Sequence, residues 1–330
     1  MTTALRLAIA SALLSIALPA LALDTNREDI KAFIDEMVTD HDYDRAVLVS
    51  ALSEAKTRQT ILDAISRPAE RTLTWGDYRK IFITEKRISA GAEFWREHSA
   101  TLQLISEQTG VPCEILVAII GVETFFGRIT GNYRVLDALS TLAFDYPPRS
   151  KFFRKELAQY LLLIREEGID AATPTGSYAG AMGAPQFMPS SFRAYAVDSS
   201  ADGHRDIWNN WTDVIGSVAN YFVRHGWRSG GEVVSHASLA KDWTGRTPLN
   251  SLKLEETVAS LSNSGVLFAT SQDGDARASL LMLQGADDVE HWVGFHNFFV
   301  ITRYNRSIMY ALAVHQLGEE IALAVQRDQQ

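Results

Sequence analysis

One acidic side chain stands where acids are scarce. Glu123 follows the run Val111-Pro-Cys-Glu-Ile-Leu-Val-Ala-Ile-Ile-Gly-Val, and Thr124-Phe-Phe-Gly127 follows it. Pro112 suits the first turn of a helix and Gly127 suits its end, so the segment reads as roughly four turns of helix. Leu116, Ile119, Ile120 and Phe126 lie within two turns of Glu123 on its side of that helix, which surrounds the carboxyl group with hydrocarbon and aromatic ring. Desolvation of that kind raises a carboxyl pKa. An acid kept protonated near neutral pH is what general-acid cleavage of a glycosidic bond requires. A structural Glu paired with an arginine fits the same helix.

A second group of acids has a different spacing. Asp198, Ser200, Asp202 and Asp206 occupy positions one, three, five and nine of a loop with Gly203 at position six, the arrangement in which hard oxygen ligands wrap around calcium. His204, at position seven, would contribute its backbone carbonyl. The usual closing glutamate is replaced by Asn209, so an enlarged loop closing on Asp213 is the expected form. The alternative is an acidic surface turn without a metal. Gly176-Ser-Tyr-Ala-Gly-Ala-Met-Gly183 is a further candidate, a glycine-rich stretch whose backbone can approach a ligand. It lacks the Gly-Lys-Ser/Thr ending of a phosphate loop and the spacing of a dinucleotide fingerprint. Trp208, Trp211, Tyr221, Phe222 and Trp227 could stack on sugars, although aromatic residues in such a run more often build a core.

Other chemistries fall away. The chain contains no HExxH or paired Cys/His arrangement for zinc and no GxSxG elbow. A net charge of -9 with no basic run argues against a nucleic-acid partner. The 330 residues, 46% of them hydrophobic, suffice for two or three domains with a large core. At the N-terminus an apolar run from Leu7 to Leu18 precedes Pro19-Ala-Leu-Ala22, the form of a secretory signal peptide, with cleavage expected after Ala22. No second hydrophobic span and no lipid-accepting Cys after that run are expected, which predicts a soluble periplasmic protein. Cys113, the single cysteine, is expected to be a buried apolar residue.

The elements that must position these residues are mostly helical. Short helices are expected between Asp24 and Ala64, then helices over Ile88 to Thr109, Leu136 to Leu142 and Phe152 to Glu167, with an extended turn at Tyr146-Pro-Pro148. Val233-Val234, Leu252-Leu254 and Leu280-Leu283 read as small antiparallel strands, and Trp292 to Ala324 returns to helix. The fold class is therefore mainly α (α+β). The division is a signal peptide at 1–22, a helical region at 23–110, a core at 111–230, a small β subdomain at 231–290 and a helical segment at 291–330.

Gly121-Val-Glu-Thr-Phe-Phe-Gly127, Gly176 to Ser190, the Asp198 loop, Ile215-Gly-Ser-Val-Ala-Asn-Tyr221 and Ile301-Thr-Arg-Tyr-Asn305, in that order, resemble the membrane-bound lytic murein transglycosylase B family. The resemblance spans most of the mature chain. It implies a lysozyme-like catalytic core with an added helical domain and a small antiparallel β subdomain. It also implies cleavage of peptidoglycan between N-acetylmuramic acid and N-acetylglucosamine without water, with Glu123 as sole acid/base. By the same likeness, Ser177, Gln186, Tyr221, Tyr304 and Asn305 hold the glycan and Arg149 supplies a groove cation. Pro148 stands where the family often carries a second Arg. Asp198, Ser200, Asp202, His204 and Asp213 correspond to the family's calcium loop. The implied state is a monomer acting on glycan strands with structural calcium and no organic cofactor, and cell-wall synthases are its candidate protein partners.

A glycosidase with two carboxylates needs a second Asp or Glu, for which Asp137 and Asp145 are the nearest candidates; each is equally explicable as a helix or turn residue. Attack by the substrate's own N-acetyl group removes that need and yields a 1,6-anhydro end. A hydrolytic muramidase and a non-catalytic peptidoglycan-binding protein are the alternatives.

Overall fold

The computed structural model describes residues 21–67 and 73–327. The expected signal segment lies outside these residues apart from Leu21 and Ala22, which pair with Lys56–Thr57 as a two-residue ladder. At the centre is the helix Cys113–Thr124, in which every residue from Ile115 to Val122 is buried. A helix apolar on all sides must lie inside the protein. Burying each Leu or Ile of that helix contributes about 1.5–3 kcal/mol, and neighbours on every side supply the contacts. The C-terminal helix Ile308–Arg327 runs along it. Gly318 makes that close approach feasible, because a Cβ there would stand 2.8 Å from the Glu114 carbonyl oxygen. By length and composition the C-terminal helix could cross a bilayer, although no further hydrophobic span was expected, but much of it is buried in this packing.

The helices Glu28–His41, Arg45–Ser53 and Gln59–Ile65 precede Trp75–Phe82, Glu85–Glu97 and Ser99–Thr109. The single helix expected over Ile88 to Thr109 is thus two, broken at His98. No Gly or Pro marks the break. The His98 ring instead packs on Phe94 at 4.5 Å and Trp211 at 5.5 Å between ring centres, a tertiary cause that local pattern does not reveal. Val135–Asp145 and Ser150–Glu167 pack side by side, joined by a one-turn 3-10 helix at Pro147–Arg149 in place of the expected extended turn. The fixed φ of proline is compatible with that tight turn. Pro189–Tyr195 and Trp211–Arg224 complete the core.

A five-stranded antiparallel sheet follows, in the order Glu256–Thr257, Arg277–Gln284, Val289–Gly294, Val234–Leu239, Val266–Phe268. Alternation along Arg277–Gln284 assigns its two faces: Leu280 joins Ala237, Val258, Leu261, Val266 and Phe295 in a small separate core, while Leu281 and Leu283 face the helical body. Two expectations fail here. Leu252 to Leu254 is irregular, because its carbonyls are taken by side chains, Lys253 by Ser279 Oγ at 2.9 Å and Leu254 by Arg277. Trp292 is in a strand opposite Leu281, and helix resumes only at His296–Tyr304.

Candidate active site

The central helix stops at Thr124, short of Gly127. Phe125, Phe126 and Gly127 all take positive φ, 51°, 59° and 75°. Two consecutive non-glycine residues in the left-handed region cost about 1–2 kcal/mol each, and such strain concentrates at functional sites. Thr124 braces this turn. Its hydroxyl accepts from the Gly127 N–H at 3.1 Å and donates to the Ala184 carbonyl at 2.9 Å, tying the end of the helix to the glycine-rich stretch. Glu123, one residue earlier, is half-buried, the point at which the apolar helix reaches solvent.

The contact that defines Glu123 comes from the C-terminal helix. Tyr310, fully enclosed, donates its hydroxyl to Glu123 Oε1 at 2.5 Å. Burial, and next the Glu123 carboxylate, push the Tyr310 phenol well above its ordinary value; the same two causes raise Tyr304. Both phenols therefore remain protonated donors across the neutral range. Tyr304 donates to the Pro185 carbonyl at 2.7 Å. Tyr221 is nearly buried, with its ring 4.7 Å from that of Tyr304 and its hydroxyl on the Arg303 carbonyl at 2.6 Å. It thus props the Tyr304 segment from behind. Trp211, Phe222 and Trp227 from the aromatic-rich stretch pack on Phe94, Tyr304 and Phe222 respectively, a core arrangement.

The glycine-rich stretch is ordered by its own hydrogen bonds. Met182 and Phe187 pair through both backbone groups, at 2.8 and 3.0 Å. The Ser177 hydroxyl accepts from the N–H groups of Ala179 and Ala181, and so shapes the loop. Gly183 is required: with φ at 65°, a Cβ would lie 2.4 Å from the Ile207 carbonyl oxygen. Gln186, itself at φ 52°, donates its amide to the carbonyls of Gly183 and Thr130 at 2.9 and 3.1 Å, which joins this stretch to the turn beyond Glu123. Asn305 follows Tyr304 in extended conformation and is half-buried. Arg149 stands exposed on another turn, its guanidinium 4.4 Å from the Phe152 ring centre. Glu123, Tyr304, Tyr310 and Gln186 therefore form one connected group, and Tyr221 and Ser177 support it. A cavity of about 540 Å³ lined by Gly127, Thr130, Asp206 and Trp208 opens beside the same turn.

The two candidate second carboxylates are committed elsewhere. Asp137 is fully buried between Arg58 at 2.9 Å and Arg134 at 2.5 Å. Asp145 pairs with Arg27 at 2.7 Å. Neither can serve Glu123 as a second catalytic carboxylate without breaking an ion pair.

In the acidic loop, carboxylate oxygens of Asp198, Asp202 and Asp213 lie within 4.8 Å of one another. Oxygens that share a calcium ion at about 2.3–2.6 Å stand no more than about 5 Å apart, so the donor set fits. Gly203 takes φ 93° at the sharp turn. Backbone amides, Gly203 foremost, hold the Asp198 carboxyl below its ordinary range, which keeps it anionic. Ser200 Oγ donates to Asp198, and the His204 N–H donates to Asp202. Asp213 is buried, with amides of Ser199, Ser200 and Asp206 on its two oxygens. Asp206 turns away to the Trp208 and Asn209 amides.

The sequence matches the model of the transglycosylase SLT domain over residues 25–319. The chain belongs to this transglycosylase family. It is 42% identical over 310 residues to membrane-bound lytic murein transglycosylase B of Escherichia coli strain K12, an alignment covering 91% of this chain and 84% of that protein. The soluble lytic transglycosylase SltB1 of Pseudomonas aeruginosa has a similar structure, with 51% identity, 89% and 98% of the two chains covered and a TM-score of 0.85. The Escherichia coli lytic transglycosylase Slt35, solved in complex with calcium, gives 42% identity, 93% and 96% coverage and a TM-score of 0.84. The chain is thus a lytic murein transglycosylase, a lyase acting on peptidoglycan, with the lysozyme-like fold of that family.

Sequence reasoning missed two residues of this candidate site. Tyr310 interrupts the apolar run Ile308-Met-Tyr-Ala-Leu-Ala, as Glu123 interrupts its own, and a polar tip in each of two buried helices is the signal that could have paired them. Thr124 gives no such signal, since its role depends on the Ala184 carbonyl sixty positions away.

Proposed function

We propose that Glu123 is the single acid/base of the transglycosylase reaction. Its carboxylic acid protonates the glycosidic oxygen that leaves with N-acetylglucosamine. The N-acetyl carbonyl oxygen of the muramic acid attacks the anomeric carbon as that bond breaks and forms a cyclic oxazolinium. The Glu123 carboxylate then removes the proton from the sugar's 6-hydroxyl. That oxygen bonds to the anomeric carbon, the oxazolinium opens, and a 1,6-anhydro end results with Glu123 reprotonated. No water is consumed. Holding the 6-hydroxyl beside the anomeric carbon gives the ring closure a high effective concentration. The observation that carries this reading is the pairing of Glu123 with Tyr310, together with the commitment of Asp137 and Asp145 to arginines. Tyr310 fixes the plane of the carboxyl group; Gln186, Tyr304 and Asn305 border the sugar, with Ser177 and Tyr221 shaping that border and Arg149 as an outlying cation.

The acidic loop takes calcium for a structural purpose, through the carboxylates of Asp198, Asp202 and Asp213, the Ser200 hydroxyl and the His204 carbonyl. The loop precedes the helix that carries Tyr221, so the ion would stabilise that support, and the reaction above has no step for it. The mature protein begins near Leu23, whose N–H bonds the Ala55 carbonyl at 2.9 Å, and works as a soluble periplasmic monomer to which synthases can be recruited. Cys113 is buried with its thiol pKa raised by that burial, which suits an inert apolar role. Intact mass of the exported protein tests the processing site: a retained 1–22 segment contradicts it. Digestion of purified sacculi by the parent and by Glu123→Gln tests the acid, since only the parent should release anhydro ends.

A further inference from the structure

The two left-handed phenylalanines after Glu123 are held in different ways. Phe126 is buried, and its ring lies over Gly91 and Gly121, where a Cβ would stand 2.9 and 2.7 Å from it. Close packing therefore fixes its backbone. Phe125, at φ 51°, has a half-buried ring with cations around it, Arg87 at 5.0 Å, Arg128 at 5.4 Å and Lys86 at 5.7 Å from its centre. A conformation that a residue type disfavours persists only where its surroundings hold it. At Phe125 the cations join packing in that task.

The three cations are unequal. Lys86 and Arg128 are exposed, and Arg128 also pairs with Glu93 at 3.3 Å; a cation in water holds a ring weakly. Arg87 is half-buried between two rings, its guanidinium carbon 5.2 Å from the centre of Phe82 and 5.0 Å from that of Phe125. One of its terminal nitrogens donates to the Ile81 carbonyl at 2.5 Å, at the end of the helix Trp75–Phe82. Its Nε is buried without a hydrogen-bond partner among the described residues. Burial pulls its pKa below the ordinary arginine value, and among the described residues no ion pair offsets that desolvation. Ring contact is what this guanidinium gains from the fold.

The turn that Arg87 grips governs the direction of Glu123. The Phe125 N–H donates to the Gly121 carbonyl at 3.1 Å and the Phe126 N–H to the Ile120 carbonyl at 3.2 Å, so the left-handed residues close the last turn of the central helix. Glu123 lies in that turn. With Phe125 relaxed to an ordinary φ the two bonds cannot both form, and the carboxyl group points elsewhere.

We propose that Arg87 is a positioning residue of the transglycosylase: clamped between Phe82 and Phe125, it holds the turn that aims Glu123 at the glycosidic oxygen. This rests on the reading of Glu123 as the acid/base. Arg87 acts through the Phe125 ring and takes no part in proton transfer.

The test follows release of anhydro ends from sacculi at saturating and limiting substrate, which separates kcat from KM, alongside thermal melting. Arg87→Met keeps an apolar stem without the cation, and should lower kcat by roughly tenfold, as displacement of a reacting group does, with KM near the parental value. Phe125→Leu should lose as much, and it carries the test alone if Arg87→Met fails to fold. Because both substitutions remove one contact, the double variant should lose no more than either single variant. Parental kcat in either folded single variant, even one that melts earlier, overturns the proposal and reduces Arg87 to a structural residue. A double variant whose loss is the product of the two single losses overturns it as well. The Glu123 reading survives both results; it fails instead if Glu123→Gln still releases anhydro ends.

Discussion

The two acidic sites of this molecule are built in opposite ways. At the proposed catalytic centre a carboxyl group emerges from a largely apolar helix and accepts a hydrogen bond from the Tyr310 phenol. In the 198–213 loop three carboxylates crowd within 4.8 Å, and backbone amides of Ser199, Ser200, Asp202, Gly203 and Asp206 point at them. On the reading proposed above, the first site works by passing a proton to and from one carboxyl group. The second holds Asp198 anionic through backbone amides and gathers oxygen donors of the kind a hard cation takes. On the proposed reading chemistry and scaffolding are separated, although both sites use the same functional group.

The largest test of that separation is Glu123→Gln. Loss of the general acid should cost about two to four orders of magnitude in rate with the melting temperature unchanged; a variant retaining a tenth of parental activity would break the comparison at its catalytic end. Next in size are two substitutions in the loop. Asp213→Ala strands buried amides and should destabilise the protein by at least about 2 kcal/mol even without calcium. Asp202→Ala should do little in calcium-free buffer but remove the stabilisation by calcium, about 2.7 kcal/mol at a hundredfold excess over Kd. Thermal melting with and without chelator checks both. Immediate loss of cleavage on chelation, in protein that stays folded, would move the ion into the reaction.

Tyr310→Phe should have a smaller effect, a fall in kcat of roughly tenfold with a modest change in stability, as expected for one hydrogen bond to a charged group. An unchanged rate would reduce Tyr310 to packing. Smallest of all is Arg149→Ala: an exposed cation stacked on Phe152 should leave stability within about 0.5 kcal/mol and act, if on anything, on KM measured with sacculi.

How much of this was legible in the sequence depended on whether the cause was local. Glu123 stood out because an acid in an apolar run is anomalous, and the spacing of Asp198, Ser200, Asp202 and Gly203 matches a calcium-loop pattern that lies within a few residues. Tyr310 was hidden because a tyrosine in an apolar helix is ordinary until its hydroxyl is seen 2.5 Å from Glu123. Likewise the break at His98 comes from Phe94 and Trp211, and the non-strand at Leu252 to Leu254 comes from Ser279 and Arg277, all tertiary partners. The helix end at Thr124 was misplaced for a further reason: Phe125 and Phe126 adopt left-handed conformations that their residue types disfavour, so Gly127 attracted the boundary.

The most direct test of the central claim is digestion of sacculi in ¹⁸O-labelled water with mass analysis of the released muropeptides, Glu123→Gln running alongside. A single acid/base with ring closure by the sugar's own 6-hydroxyl predicts products one water lighter than hydrolytic ones and free of label, and none from the variant. Labelled reducing ends would show that water attacks the anomeric carbon, and would contradict the account.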